Sequence, residues 1–532
     1  MWSGRVGLVN PPSAMIGGTY LAPPLGLVDL ASHLTSRRLV DSLEFLDLAL
    51  ELNEGKLPFG ESLPIVAAQR ILAGDFDVCA ISVQCFNFPL VEAIVAHVKR
   101  GEKPPRIVYG GHHVALLSEE LKAECLADHV SSKTVEAELG VEGNALRPPE
   151  HWLAPSPERY AAVSKNPTGI IEIGRGCPFD CEYCSIPRVF GRRLSFKAAR
   201  DISSEVQFWL SHDIRHLHLV DDTFTADRRH VEEVLDALGP FSGTVTWSAM
   251  TRADLVDRQL LTKLASAGCV SILYGIDAGN ASTRRRMSKR ASRYPELADL
   301  ANWNVEAGIS PSFYFIIDYV SDTIEDLYAS LLEAASMSLV DPGSVRLNLT
   351  RVNPGTSLGE TTEVLIPNFD APYADTLKAT VGIGCDEVWR RIRDKPALFS
   401  TYYCPPSAIP RPILNALARY GNLLIAEFPL TFLDLVQSKN LLDVFSDLAN
   451  VPSLEMATAD EIKAAFSSAV DRFSESGLEF LEFERWFLAS DAKGILTRVD
   501  GSLTRDRMQA KSMGSLSSAL LRKPRYYRHA AS

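Results

Sequence analysis

Three cysteines, Cys177, Cys181 and Cys184, fall within eight residues, in the run Gly176-Cys177-Pro178-Phe179-Asp180-Cys181-Glu182-Tyr183-Cys184. Thiolates at C-x3-C-x2-C spacing, on a loop bearing Gly and Pro, can wrap one face of a cubane iron–sulfur cluster. Only three ligands arrive, so one iron stays open to a substrate or cofactor. Zinc is the competing reading, but structural zinc takes four ligands. The candidates for a fourth, His212, His216 and His218, lie some thirty residues further on. The blandest reading is three scattered structural thiols. The other six cysteines sit singly, several in apolar surroundings where a buried thiol is expected. An odd count of nine favours metal or catalysis over disulfides.

The elements around this loop are legible from pattern. Short apolar runs alternate with helical stretches in residues 1–146, at Arg5–Val9, Leu43–Asp47, Val78–Val83 and Arg106–Tyr109, with helices at Leu25–Leu34 and Leu90–Lys99. Such alternation predicts a parallel, doubly wound, Rossmann-like sheet, which binds ligands beyond the C-terminal strand ends. A proline-bearing stretch, 147–168, reads as a linker. The alternation restarts over 169–360. Strands are expected at Ile170–Ile173, His216–Val220, Thr244–Ser248, Ser271–Ile276, Ser312–Ile317 and Val345–Leu349. Six βα units predict a partial TIM-like barrel, with chemistry at the C-terminal strand ends. Residues 361–532 read as a mainly helical region ending in a basic, solvated tail, Arg522–Arg528. The fold class expected is therefore α/β with a helical C-terminal region.

Hydrophobic residues at 46% and charged residues at 23% describe an ordinary soluble chain. No apolar run reaches the roughly 18 residues of a membrane span, and Met1–Arg5 has no signal-peptide layout, so a cytoplasmic protein is expected. A net charge of −12 argues against general nucleic-acid binding. Nothing in the pattern speaks to oligomeric state.

The cysteine motif resembles the signature of the radical S-adenosylmethionine (SAM) superfamily, and the resemblance runs over about residues 165–355. It implies that Cys177, Cys181 and Cys184 bind three irons of a [4Fe–4S] cluster while SAM chelates the fourth. One-electron reduction, by a donor such as flavodoxin or ferredoxin, then cleaves SAM to a 5′-deoxyadenosyl radical. Tyr183 matches the aromatic position set against the adenine. Leu219-Val220-Asp221-Asp222-Thr223-Phe224 resembles the segment near the SAM amino group, with Asp221 and Asp222 as acceptors. Tyr274-Gly275-Ile276-Asp277-Ala278-Gly279 is similar to a segment that usually carries Glu, one methylene longer than Asp277. Phe315–Thr323 stands where the family has a Gly-x-Pro-Gly-Glu-Thr turn, which makes Asp318 and Tyr319 candidates to face substrate. Asn353-Pro354-Gly355-Thr356 resembles the turn past the sixth strand. Arg284–Arg290 reads as a solvated helix face.

The N-terminal region resembles the cobalamin-binding subclass through Asn10-Pro11-Pro12, Leu21–Leu27 and Tyr109-Gly110-Gly111-His112-His113. This implies a corrinoid between the first domain and the barrel, near Pro11, Pro12, Gly110, Gly111 and His112, with Gln84 and Phe86 toward its lower face. One departure stands out. Ser131-Ser132-Lys133-Thr134 replaces a Gly-Glu-Gly-Glu segment, so altered, weaker or lost cobalamin binding is the expectation. The subclass implies methyl transfer to an unactivated carbon of a small or peptide-derived metabolite, the chemistry of natural-product biosynthesis. The alternatives are a radical rearrangement, ring contraction or cyclisation without net methylation, and a cluster-bearing binding or electron-transfer protein.

Overall fold

Strands of the first sheet are apolar on both sides because both of its faces are covered. The computed structural model describes residues 2–15, 21–131, 134–140, 146–289, 294–341, 343–451 and 457–489. Ser132, Lys133, Arg290 and the basic tail Arg522–Arg528 lie outside them. The described residues fall into two compact units, one drawn from 1–250, 266–269 and 351–406, the other from 251–265, 270–350 and 407–532.

In the first unit, β1 (Arg5–Asn10), α1 (Leu25–Ser36), β2 (Ser42–Asp47), β3 (Val78–Ser82), α2 (Phe88–Val98), β4 (Arg106–Gly110), α3 (His112–Leu116), β5 (His129–Val130) and α4 (Val135–Glu138) follow in chain order. The strands pair in parallel in the order β2-β1-β3-β4-β5, a doubly wound sheet as the alternation predicts. Its two cores follow from the two-residue period of a strand. Val6, Leu8, Val78, Ala80 and Val108 meet Leu27, Leu30 and Leu34 of α1 on one face. Val9, Cys79, Ile81, Ile107 and Tyr109 face the other way, toward Phe88, Leu90 and Ile94.

Residues 361–406 contribute to this second core. Leu377, Val381, Trp389, Phe399 and Tyr402 are buried in it, and Phe399 stacks on Phe88 at 5.0 Å. Their composition reads as helical, but where the helices dock is a tertiary matter.

The proline-bearing stretch is ordered into packed structure. His151 and Tyr160, the latter on α5 (Pro157–Val163), are buried, and the Tyr160 hydroxyl donates to Asp47 Oδ2 at 2.6 Å. Prolines punctuate this segment, while two aromatic anchors fix its path.

The first three barrel repeats lie in this unit. Strands β6 (Thr168–Glu172), β7 (His216–Val220) and β8 (Thr246–Arg252) run in parallel, with Thr168 opposite His216 and His216 opposite Thr246. Between β6 and β7, α6 (Ala199–Ser211) buries Ile202, Val206 and Trp209 along one helical stripe. Between β7 and β8, α7 (Arg228–Leu238) is N-capped by Asp227, which accepts from the Arg229 and His230 amides.

The remaining three repeats follow. After α8 (Arg258–Ser266), the second unit holds the parallel strands β9 (Cys269–Asp277), β10 (Ser310–Ile316) and β11 (Val345–Asn348), with Ser271 opposite Ser310 and Phe313 opposite Val345. Helix α9 (Leu297–Ala307) lies between β9 and β10 in the chain, and α10 (Ile324–Val340) between β10 and β11. A reciprocal Thr323–Asp326 capping box starts α10. The six strand–helix repeats the sequence predicts are thus present along the chain, three in each unit. The later helices, α11 (Arg411–Glu427), α12 (Pro429–Gln437), α13 (Leu441–Ala449), α14 (Ala459–Phe473) and α15 (Glu475–Ala489), form the helical C-terminal region. Among the described residues no helix is long and apolar enough to cross a membrane.

Candidate active site

The cysteine loop leaves β6 by a turn that only glycine can make. Gly176 has φ +96°, and a Cβ there would stand 2.4 Å from the Arg193 carbonyl oxygen. Its N–H donates to Asp222 Oδ2 at 2.8 Å, which ties the loop to the end of β7. The Cys184 amide donates to the Cys181 carbonyl at 3.0 Å and closes a tight turn. Asn353 Nδ2, in the Asn353–Thr356 turn, donates to the Tyr183 carbonyl at 3.4 Å, and the Leu358 amide just after it donates to the Glu182 carbonyl at 2.9 Å. Two distant turns thus hold the loop that carries the thiols.

Cys177 is buried, with Sγ 3.4 Å from Thr223 Oγ1, while Cys181, Tyr183 and Cys184 are half-buried. Burial pushes the Cys184 thiol up to about 12, and the nearby Cys181, Cys177 and Asp222 push the same way. A Cys184 thiolate is therefore disfavoured unaided, and iron would supply the missing countercharge. The donor set fits a three-thiolate cluster. The histidines weighed as zinc ligands have other bonds: His212 to Glu158 at 2.6 Å, His216 to Thr246 and His218 to Ser248, each at 3.0 Å.

At the end of β7, Asp221 and Asp222 are held near the edge of ionisation. Burial raises Asp221 to about 7, against the Thr223 amide, which donates to it at 2.8 Å. Burial raises Asp222 to about 6, opposed by the Gly176 amide. An incoming ammonium would supply the charge these carboxylates lack.

A cavity of about 380 Å³ opens in the first unit, bounded by strand ends of the first sheet and of β6 and β7. Gln84, Gly110, Gly111 and His112 line it from the first sheet; Arg175 and Asp222 line it from the barrel side. Gly110 borders open space, with no atom within 4 Å of where a Cβ would stand. Gly111, at φ +114°, turns the chain into α3. Ser131 and Thr134, the described ends of the departing segment, are also in the wall. Arg175 is the hub. It bonds both oxygens of Glu172 at 2.8 Å and Glu136 Oε1 at 3.0 Å, and its guanidinium lies 5.3 Å from the Phe190 ring centroid. Phe190 meets the His112 ring edge-on at 5.0 Å. Burial, then Arg175, lowers the His112 pKa, so its imidazole is neutral at pH 7. A roomy, largely apolar slot with a few fixed polar groups suits a large flat ligand with a polar rim.

Other expected residues are placed elsewhere. Pro11 and Pro12 are buried after β1 and do not line the cavity; Phe86 offers its carbonyl to the Tyr402 hydroxyl at 2.6 Å. In the second unit, Asp277 is buried at φ +70° and ion-paired with the buried Lys289. Asp318 is fully buried, its carboxylate accepting from Arg411 and from the Thr350 amide. Tyr319 is buried, and its amide donates to Asp322 Oδ2 at 3.1 Å. Arg175 and Arg411 escape sequence reading, since a lone cation carries no spacing signal, and Lys289, read as part of the solvated Arg284–Arg290 face, is instead buried against Asp277.

Residues 171–332 match the model of the Radical SAM superfamily, across the cysteine loop and the strand ends just described. Over these residues the chain is a Radical SAM domain. Among its relatives is an uncharacterized methyltransferase of Pyrococcus horikoshii, 22% identical over 67% of this chain and 82% of that one. Another is the anaerobic magnesium-protoporphyrin IX monomethyl ester cyclase of Synechocystis sp., 23% identical over 56% of this chain and 68% of that one. The radical SAM methyltransferase TsrM from Kitasatospora setae, solved with tryptophan and a SAM analogue, superposes with a TM-score of 0.52 at 15% identity, covering 68% of this chain and 76% of its own. The cobalamin-dependent SAM radical enzyme OxsB, solved with aqua-cobalamin and SAM, gives 0.51 at 13% identity, covering 96% of this chain and 75% of its own. At these identities the likeness establishes a shared fold. The chain shares the fold of both.

Proposed function

We propose that this radical SAM enzyme holds cobalamin in the cavity beside its cluster loop and methylates an unactivated carbon of a small or peptide-derived metabolite. The observation that carries the reading is the cavity itself, with Gly110, Gly111 and His112 on one wall and Arg175 and Asp222 on the other. When bound, the [4Fe–4S] cluster and SAM supply a carbon radical, and cobalamin supplies a methyl carrier.

The chain's own residues do the rest. Cys177, Cys181 and Cys184 hold the cluster, and Tyr183 backs the adenine. Asp222 fixes the cysteine loop through the Gly176 amide, and with Asp221 offers carboxyl oxygens to an ammonium. Gly110, Gly111, His112 and Gln84 form the corrinoid wall, with Pro11, Pro12 and Phe86 shaping the strand ends behind it. In the second unit, Asp277 sits paired with Lys289 at the end of β9, while Asp318 and Tyr319 position the chain after β10. Residues 1–146 form the cobalamin module and 169–360 the radical SAM barrel. A flavodoxin- or ferredoxin-type donor supplies the electron.

The test uses methyl-deuterated SAM, a reductant and candidate metabolites with the cobalamin-loaded enzyme. The expected product carries the label, with 5′-deoxyadenosine and S-adenosylhomocysteine both formed. If 5′-deoxyadenosine forms with an unlabelled product, methyl transfer is wrong. The kinship with a cyclase makes ring formation the reading that would replace it.

A further inference from the structure

Beside the cavity, three side chains from two helices converge on one point. Asp29 and His33 lie four residues apart on α1, one turn of the same face. Glu136 comes from α4. One ligand atom from each lies within 4.8 Å of the other two. His33 is only 9% exposed, and its Nε2 stands 3.6 Å from Asp29 Oδ1, beyond hydrogen-bond reach. Arg175 takes Glu136 Oε1 and both oxygens of Glu172. Glu136 Oε2 is shut off from solvent and, among the described residues, has no partner. A buried acceptor with nothing to accept is costly unless something not yet in place satisfies it.

We propose that Asp29, His33 and Glu136 bind a divalent first-row cation that fastens α4 to α1. Two carboxylates and an imidazole form a borderline donor set, which suits Mn²⁺, Fe²⁺ or Zn²⁺ better than the all-oxygen preference of Mg²⁺ or Ca²⁺. The mechanical reason is on the same helix. Helix α4 has four residues, too few to hold itself, and it follows the segment where Ser131 and Thr134 border the cavity. A cation bridging Glu136 to α1 fixes that wall without glycine-rich loop geometry.

The test titrates Mn²⁺ into the full-length, cluster-reconstituted protein and counts bound ion by electron paramagnetic resonance and equilibrium dialysis. About one Mn²⁺ per chain is expected. His33→Gln and Glu136→Gln should weaken it at least tenfold, while Asp370→Asn, on an exposed residue elsewhere, leaves it unchanged. Glu136→Asp keeps the charge, withdraws the oxygen and should give an intermediate affinity, which separates ligand loss from misfolding. Unchanged Mn²⁺ affinity in the His33 and Glu136 variants, or no binding by the natural chain at millimolar Mn²⁺, overturns the site.

Discussion

Gly174 and Asp221 pack so closely that a Cβ on Gly174 would stand 2.2 Å from Asp221 Oδ2. The absent side chain is what lets the buried carboxyl sit beside the cysteine loop. Gly174→Ala must push Asp221 aside, and overpacking of this kind costs ~1–3 kcal/mol. Urea unfolding should show that loss, and SAM binding by calorimetry should weaken about tenfold, roughly 1.4 kcal/mol. Unaltered stability and SAM affinity in this variant would remove Asp221 from the SAM site.

Gly111 tests the cavity wall. At φ +114°, a Cβ there would meet the Val83 carbonyl at 2.5 Å. Gly111→Ala should therefore shift the start of α3, together with His112. Protein reconstituted with hydroxocobalamin is expected to retain close to one cobalt per chain, and the variant well under half. Equal cobalt in both after extensive dialysis would place the corrinoid elsewhere.

Asp318 and Arg411 test the second unit. The carboxylate is completely buried and Arg411 is its countercharge. Arg411→Met leaves that charge uncompensated, a loss of about 3–5 kcal/mol. Asp318→Asn in the same chain should restore part of it. If the double variant is no more stable than Arg411→Met in chemical denaturation, the pair is not coupled.

The strands were readable because each is a short apolar or alternating run stopped by Gly, Pro or a polar cluster, as the apolar Val78–Ser82 and the alternating His216–Val220 are. The cysteine loop was readable because ligand spacing is local. What stayed hidden depends on tertiary placement. Tyr160 reaches Asp47 across 113 positions, and Tyr402 reaches Phe86 across 316. Gln84, Gly110, Gly111, His112 and Asp222 meet in one cavity, but the Arg175 network that joins its walls has no sequence period. Asp318 stands where the family has a Gly-x-Pro-Gly-Glu-Thr turn, which invites a substrate-facing reading. Its partner, Arg411, lies 93 residues away.

Glu484 gives a pH dependence. It is buried, accepts from the Leu430 and Thr431 amides at 2.7 and 3.2 Å, and burial raises it to about 7. A carboxyl whose folded pKa lies above its unfolded value of 4.5 contributes fully below that pH. The contribution is lost as pH rises through 7. Glu484→Gln, which cannot ionise, should flatten this fall, gaining on the natural chain between pH 5 and 8 by up to roughly 3 kcal/mol. Parallel stability–pH curves for the two would contradict the assignment.

The central claim is radical chemistry at Cys177, Cys181 and Cys184. The direct measurement is 5′-deoxyadenosine released from SAM by anaerobically reconstituted, reduced protein, alongside bound iron. Four irons per chain and reductant-dependent 5′-deoxyadenosine are predicted, with both lost when the three cysteines become alanine and both kept when Cys269 or Cys385 does. A four-iron spectrum or undiminished SAM cleavage in the triple variant would contradict the account.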